Sequence, residues 1–103
     1  MARLFAGLDL GQQNDYTALS VIESTIAMPY YRLRHLERLP LRTSYPDQVS
    51  HVCEVCTQIG KHTGALPLLG VDFGGCGAPV YDLLKDAYPG TTKGFSSDLQ
   101  SEW

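Results

Sequence analysis

The sequence predicts one mixed α/β sheet, built in the order strand, strand, strand, helix, strand, helix, with a further strand over 91–97. Three observations carry this. Two short apolar runs, 4–10 and 66–73, each enclose one carboxylate, Asp9 and Asp72, in otherwise hydrophobic sequence. Between them Tyr45, Val49, Val52, Cys53, Cys56 and Ile59 recur at helical spacing, a stripe about four turns long that suits a crossover between parallel strands. At 103 residues and 44% hydrophobic the chain is sized for a single domain, 1–103, with a modest core. A last strand with no helix to cover it makes that domain incomplete at its C-terminus.

Residues 4–10 are too apolar for a strand with one exposed face, which places this strand centrally in its sheet. Gly11-Gln-Gln-Asn-Asp15 supplies turn residues, and 17–23 form the second strand, joined to the first as an antiparallel hairpin. The third strand, 30–39, ends at Pro40. Ser44 then caps a helix whose first turn accommodates Pro46 and whose positive dipole end favours Asp47; Gly60 and Gly64 mark its finish. After the strand at 66–73, a second helix runs from 77 or 78 to about 88. Its Val80, Leu83, Leu84 and Ala87 face inward and its Asp82, Lys85 and Asp86 face water, before Pro89-Gly90 stops it. The crossover makes the fourth strand parallel to its partner, and the simplest arrangement sets it beside the first. Asp9 and Asp72 then meet in one crevice.

The formal net charge of −3 argues against a generally basic nucleic-acid binder. Positive charge is nevertheless concentrated: Arg32, Arg34, Arg38 and Arg42 fall within eleven residues, as phosphate contacts or as the solvated face of an edge strand. Three cysteines are too few and too odd for a disulfide scaffold, which fits a reducing interior. No apolar run approaches the ~18 residues of a membrane span, and the N-terminus lacks a secretory signal. These features predict a cytoplasmic protein without a membrane partner. Cys53-Glu-Val-Cys56, with His51 and His62 nearby, falls on the apolar stripe with no second cysteine pair, so core packing is expected rather than zinc. His35, among arginines, reads as surface.

Two carboxylates at the ends of adjacent parallel strands stand where open α/β sheets bind ligands. Oxygen-only donors suit Mg²⁺ or Mn²⁺, and two such ions can activate water and stabilise the leaving oxygen in phosphodiester cleavage. A purely structural alternative has Asp9 satisfied by backbone N–H groups and Asp72 capping the turn that follows it. Gly74, Gly75 and Gly77 lead into a helix N-terminus, a place for phosphate or simply a sharp turn. Asp15 is an accessory ligand or a turn residue.

Together, Gly-Leu-Asp9-Leu-Gly…Asp15-Tyr-Thr-Ala-Leu and Gly-Val-Asp72-Phe-Gly-Gly-Cys-Gly-Ala-Pro-Val-Tyr-Asp-Leu-Leu resemble the nuclease domain of the phage terminase large subunit. The resemblance implies a ribonuclease H-like, retroviral-integrase-like fold and two-metal cleavage of double-stranded DNA during genome packaging, with Asp9 and Asp72 as metal ligands. It also implies a bacterial host or prophage setting and, as partners, other terminase or portal components. The family's third acid comes from a helix beyond the fourth strand. No residue here matches it, and Asp98 and Glu102 are candidates only by proximity. The packaging ATPase motif Gly-x4-Gly-Lys-Ser/Thr is also missing. Leu8-Asp9-Leu-Gly-Gln-Gln-Asn and Asp72-Phe-Gly-Gly-Cys-Gly also resemble the two phosphate motifs of the actin, sugar-kinase and heat-shock ATPases, although there the motifs lie much further apart. Holliday-junction resolvases share the fold as well. A nonenzymatic prophage remnant, binding a partner or dimerising through an exposed sheet edge, is the alternative of a different class.

Overall fold

The computed structural model describes residues 2–11, 15–25, 28–74 and 78–95. They form a five-stranded sheet of order β3-β2-β1-β4-β5, from β1 (Ala2–Asp9), β2 (Ala18–Thr25), β3 (Met28–Arg38), β4 (Leu68–Asp72) and β5 (Thr92–Phe95). Helices α1 (Tyr45–Thr63) and α2 (Ala78–Ala87) flank β4 in sequence. β2 runs antiparallel to both β1 and β3, whereas β4 runs parallel to both β1 and β5. This is the ribonuclease H-like arrangement expected, with the fifth strand present over Thr92–Phe95. Residues 96 and 97 of that expected strand, and Asp98 and Glu102, lie outside the described residues.

Period-two alternation decides which side of the sheet is covered. Leu4, Ala6 and Leu8 of β1, Leu19 and Val21 of β2, and Leu69 and Val71 of β4 are buried together with Val49, Val52 and Cys56 of α1 and Val80, Leu84 and Tyr88 from α2 and its end. Both helices therefore lie on one face. The expectation that residues 4–10 are buried on both sides is corrected: Gly7 and Asp9, on the opposite face, are exposed, and β1 is central while covered on one side only. In α2, Leu83 is 44% exposed and Ala87 is also exposed. A ten-residue helix lying on a sheet buries a narrow stripe, and Val80 and Leu84 occupy it.

The ends of α1 follow from sequence. The Ser44 hydroxyl accepts from the Asp47 N–H at 3.2 Å, and Gly64, at φ 86°, closes the helix by donating its N–H to the Gly60 carbonyl at 2.8 Å. The Cys56 thiol, fully enclosed, is pushed up to about 11 by burial and by its neighbour Cys53. An apolar site that disfavours thiolate is core packing, as the stripe implied. The Tyr88 hydroxyl finds its partner in the Pro67 carbonyl at 2.5 Å, tying the end of α2 to the start of β4.

At the sheet edge, His35 is corrected from a surface residue to a half-buried one. Its Nε2 and that of His51 on α1 both meet Glu37 Oε1, at 2.9 and 2.6 Å. Burial, the largest influence on Glu37, raises its pKa, but the hydrogen bonds and charges of the two imidazoles outweigh it and hold the carboxyl below its ordinary 4.5. A carboxyl depressed in the folded state contributes stability that is complete above 4.5 and is lost as pH falls through the lower folded value. Urea midpoints measured from pH 6 downward should therefore fall less steeply in Glu37→Gln than in the wild type. Parallel acid limbs would show that the cluster does not couple folding to protons.

Candidate functional site

The register brings the two acids together. Asp9 is the last residue of β1 and Asp72 the last of β4, and they are direct partners in the parallel ladder. Adjacent strands lie about 4.8 Å apart, and both side chains leave the same face, the one the helices do not cover. Asp9 is exposed and Asp72 half-buried. Asp72 Oδ1 accepts the Gly74 N–H at 3.1 Å, which shapes the turn and leaves its second oxygen uncommitted by that bond. Capping and ligation by Asp72 are therefore compatible. Two carboxylates side by side offer a hard divalent cation part of an oxygen shell, the remainder coming from waters and phosphate oxygens. Among the described residues no group of three or more His, Cys, Asp and Glu side chains is arranged to hold a metal ion. The donor set fits Mg²⁺ or Mn²⁺ as a two-carboxylate site.

The acids belong to a row that crosses the sheet. Along the ladder Arg38, Ala18, Asp9, Asp72 and Phe95 are successive partners on β3, β2, β1, β4 and β5. One pleat step behind runs Leu36, Ser20, Gly7, Gly70 and Lys93. With two glycines side by side in that second row, the sheet surface sinks into a hollow of about 340 Å³, lined by Gly7, Asp9, Ser20, Gly70, Asp72 and Phe95.

The other candidates distribute unevenly. Arg38 stands in the acids' row, its guanidinium stacked 4.3 Å from the centre of the Tyr16 ring. Arg34 sits at a register shift opposite Val21 and Ile22, and its guanidinium lies 3.5 Å from Glu23. Arg32 is exposed and pairs in register with Glu23, so these two arginines flank an acid rather than the crevice. Arg42 is exposed in the turn before α1, at φ 66°. Asp15 lies away from the hollow, in a smaller cleft with Thr17, Arg42 and Gln48. Gly74 is held by Asp72, and Gly75 and Gly77 lie outside the described residues.

Two residues important to the site's geometry escaped the sequence reading. The buried Thr17 hydroxyl accepts the Gly11 N–H at 3.1 Å and donates to Gln48 Oε1 at 3.3 Å, while Gln48 Nε2 donates to the Thr43 carbonyl at 3.0 Å. This chain of bonds fastens the segment just beyond Asp9 to the first turn of α1. Nothing in residue type distinguishes Thr17 or Gln48 from ordinary strand and helix residues. The hollow did have a visible signal: Gly-x-Asp occurs in both strands, as Gly7-Leu-Asp9 and Gly70-Val-Asp72.

No protein-family model and no curated protein matches the sequence. Among solved structures, the chain is similar to T. thermophilus RuvC in complex with Holliday junction substrate, with a TM-score of 0.54 at 10% identity over 97% of this chain and 68% of that one. It is also similar to the Aquifex aeolicus member of the Ppx/GppA protein family, with a TM-score of 0.51 at 7% identity, covering 97% of this chain and 37% of that one. At these identities the likeness establishes the ribonuclease H-like fold. Among the described residues no helix is long and apolar enough to cross a membrane.

Proposed function

We propose that the chain carries the catalytic half-site of a metal-dependent DNA endonuclease, with Asp9 and Asp72 as the metal ligands. The observation that carries this reading is their direct pairing at the ends of two parallel strands on the uncovered face of the sheet. Mg²⁺ or Mn²⁺ held there would polarise a phosphate oxygen and acidify a bound water for attack on the phosphorus, with the ester oxygen on the far side leaving. The protein's part is placement. The ladder sets the two carboxylates one strand apart, the Gly74 N–H orients Asp72, and the Thr17–Gln48 bonds anchor the chain beyond Asp9. Arg38, at the end of the same row, holds a phosphate of the flanking strand. Terminase-type cleavage of double-stranded packaging DNA is the finer form of this reading. It takes the chain as the N-terminal part of a nuclease domain in a cytoplasmic setting, and it is supported by the Gly-Val-Asp72-Phe-Gly-Gly motif.

A second reading, a nucleotide-binding fragment of the actin and sugar-kinase type, is favoured by the glycine-rich turn after Asp72 and by the similarity to the Ppx/GppA structure. Mn²⁺ titration followed by calorimetry, with nicking of supercoiled plasmid measured in parallel, separates the two. The nuclease reading expects Mn²⁺ to bind without nucleotide and nicking to stop in EDTA. Metal binding that appears only with ATP present, and no nicking, would move the assignment to the second reading. DNA affinity should also fall with salt in the wild type, with a shallower salt slope in Arg38→Ala.

A further inference from the structure

We propose that the hollow behind Asp9 and Asp72 is a subsite for an unpaired nucleobase, with the Phe95 ring as its wall and the paired glycines as its floor; its assignment to nucleic acid rests on the nuclease reading. Two glycines facing each other in adjacent inner strands weaken a sheet, and such glycines commonly mark the close approach of a ligand or another backbone. The fold itself does not demand them. Neither takes a positive φ, and a Cβ on Gly70 would meet only Phe95 Cε1 at 3.6 Å and the Ala6 carbonyl at 3.8 Å, ordinary contact distances. A Cβ on Gly7 would meet the Ser20 hydroxyl at 3.3 Å, at the end of a short side chain able to turn away. Glycine at these positions thus creates space that packing does not require, and about 340 Å³ is room for a base with its sugar.

The surroundings select the occupant. Phe95 is half exposed beside Gly70, offering an aromatic surface on which any base can stack. The Ser20 hydroxyl lines the opposite side, within reach of a base edge. Lys93, exposed and next to Gly70 in the same row, presents a cation for the neighbouring phosphate. A protein segment pressed into the hollow would have to desolvate Asp9, Asp72 and Lys93 around its rim. A nucleotide leaves the two carboxylates hydrated and sets its phosphate beside Lys93, the cation paired with Gly70. A base stacked inside a duplex cannot enter a hollow one side chain deep, so the nucleotide beside the scissile phosphate must be unpaired.

The test uses the full chain and a short single-stranded oligonucleotide carrying one 2-aminopurine, whose fluorescence drops on stacking, in EDTA so that no cleavage intervenes. The wild type should quench the probe. Phe95→Ala should weaken binding by about tenfold, within the range for loss of one base–aromatic stack, and Phe95→Trp should restore it. Gly70→Val should abolish quenching, since its γ-methyls fill the floor of the hollow and valine suits a strand. Gly70→Ala, whose one added atom is a Cβ with room, should weaken quenching while keeping the wild-type circular dichroism spectrum. Equal quenching and affinity in Phe95→Ala and Gly70→Val, or no quenching by the wild type, would overturn the subsite. Mn²⁺ binding measured on the same proteins reports separately. If Mn²⁺ fails to bind while quenching still depends on Gly70 and Phe95, the metal-nuclease reading fails and the base subsite stands.

Discussion

Asp9→Asn and Asp72→Asn should each abolish plasmid cleavage, by at least about 10³-fold, and lower Mn²⁺ affinity without unfolding the protein. The size follows from what a bound metal contributes. Polarising the phosphate and activating water is worth several kcal/mol in the transition state, and each 1.36 kcal/mol is tenfold in rate. Asparagine has nearly the shape of aspartate but no charge, so the substitution removes ligand strength and leaves packing alone. Asp9 is exposed, and at position 72 the amide carbonyl can still accept the Gly74 N–H. Thermal unfolding should therefore stay within about 0.5 kcal/mol of wild type, as for surface changes generally. Cleavage that survives in either variant would refute the paired-carboxylate centre. A large loss of stability in Asp72→Asn would instead make the turn, and not a metal, the reason for that acid.

Leu69→Ala is expected to have the largest effect on folding. Leu69 is completely buried in β4, between β1 and β5 and beneath both helices' core residues. Truncating such a leucine removes transfer free energy and leaves a cavity, at a cost of about 2–5 kcal/mol. A domain of this size holds a total of about 5–15 kcal/mol, so the variant should be partly unfolded at moderate temperature. Leu33→Ala is the matching control. Leu33 lies on the uncovered face and is 58% exposed, and its loss should cost less than about 0.5 kcal/mol. Urea unfolding of both variants checks the pair. Equal losses would mean that the face bearing Leu33 is packed in solution. Because Leu69 is three residues from Asp72 on the same strand, Mn²⁺ affinity in Leu69→Ala should also decline with temperature faster than in the wild type.

The amino-acid sequence by itself determined the element types and their order. Helical periodicity, the Ser44 cap and Gly64 define α1, Pro79 opens α2, and apolar runs ended by turn residues define the strands. These are local signals, set by a residue and its neighbours within one or two turns. The pairing of Asp9 with Asp72 was also legible, because an acid inside each of two apolar strands joined by a crossover has few places to go. Which face those acids occupy was decided only by the tertiary structure. Both helices pack on the side of Leu4, Ala6 and Leu8, and an apolar strand such as 4–10 does not reveal that its other side stays open. The same holds for Arg34, drawn to Glu23 by a register shift, for His35 and His51, which converge on Glu37 from a strand and a helix, and for Phe95, which reaches Gly70 on the adjacent parallel strand. Such contacts depend on strand order and register, and those are fixed by the summed burial of the whole core rather than by any residue's own chemistry.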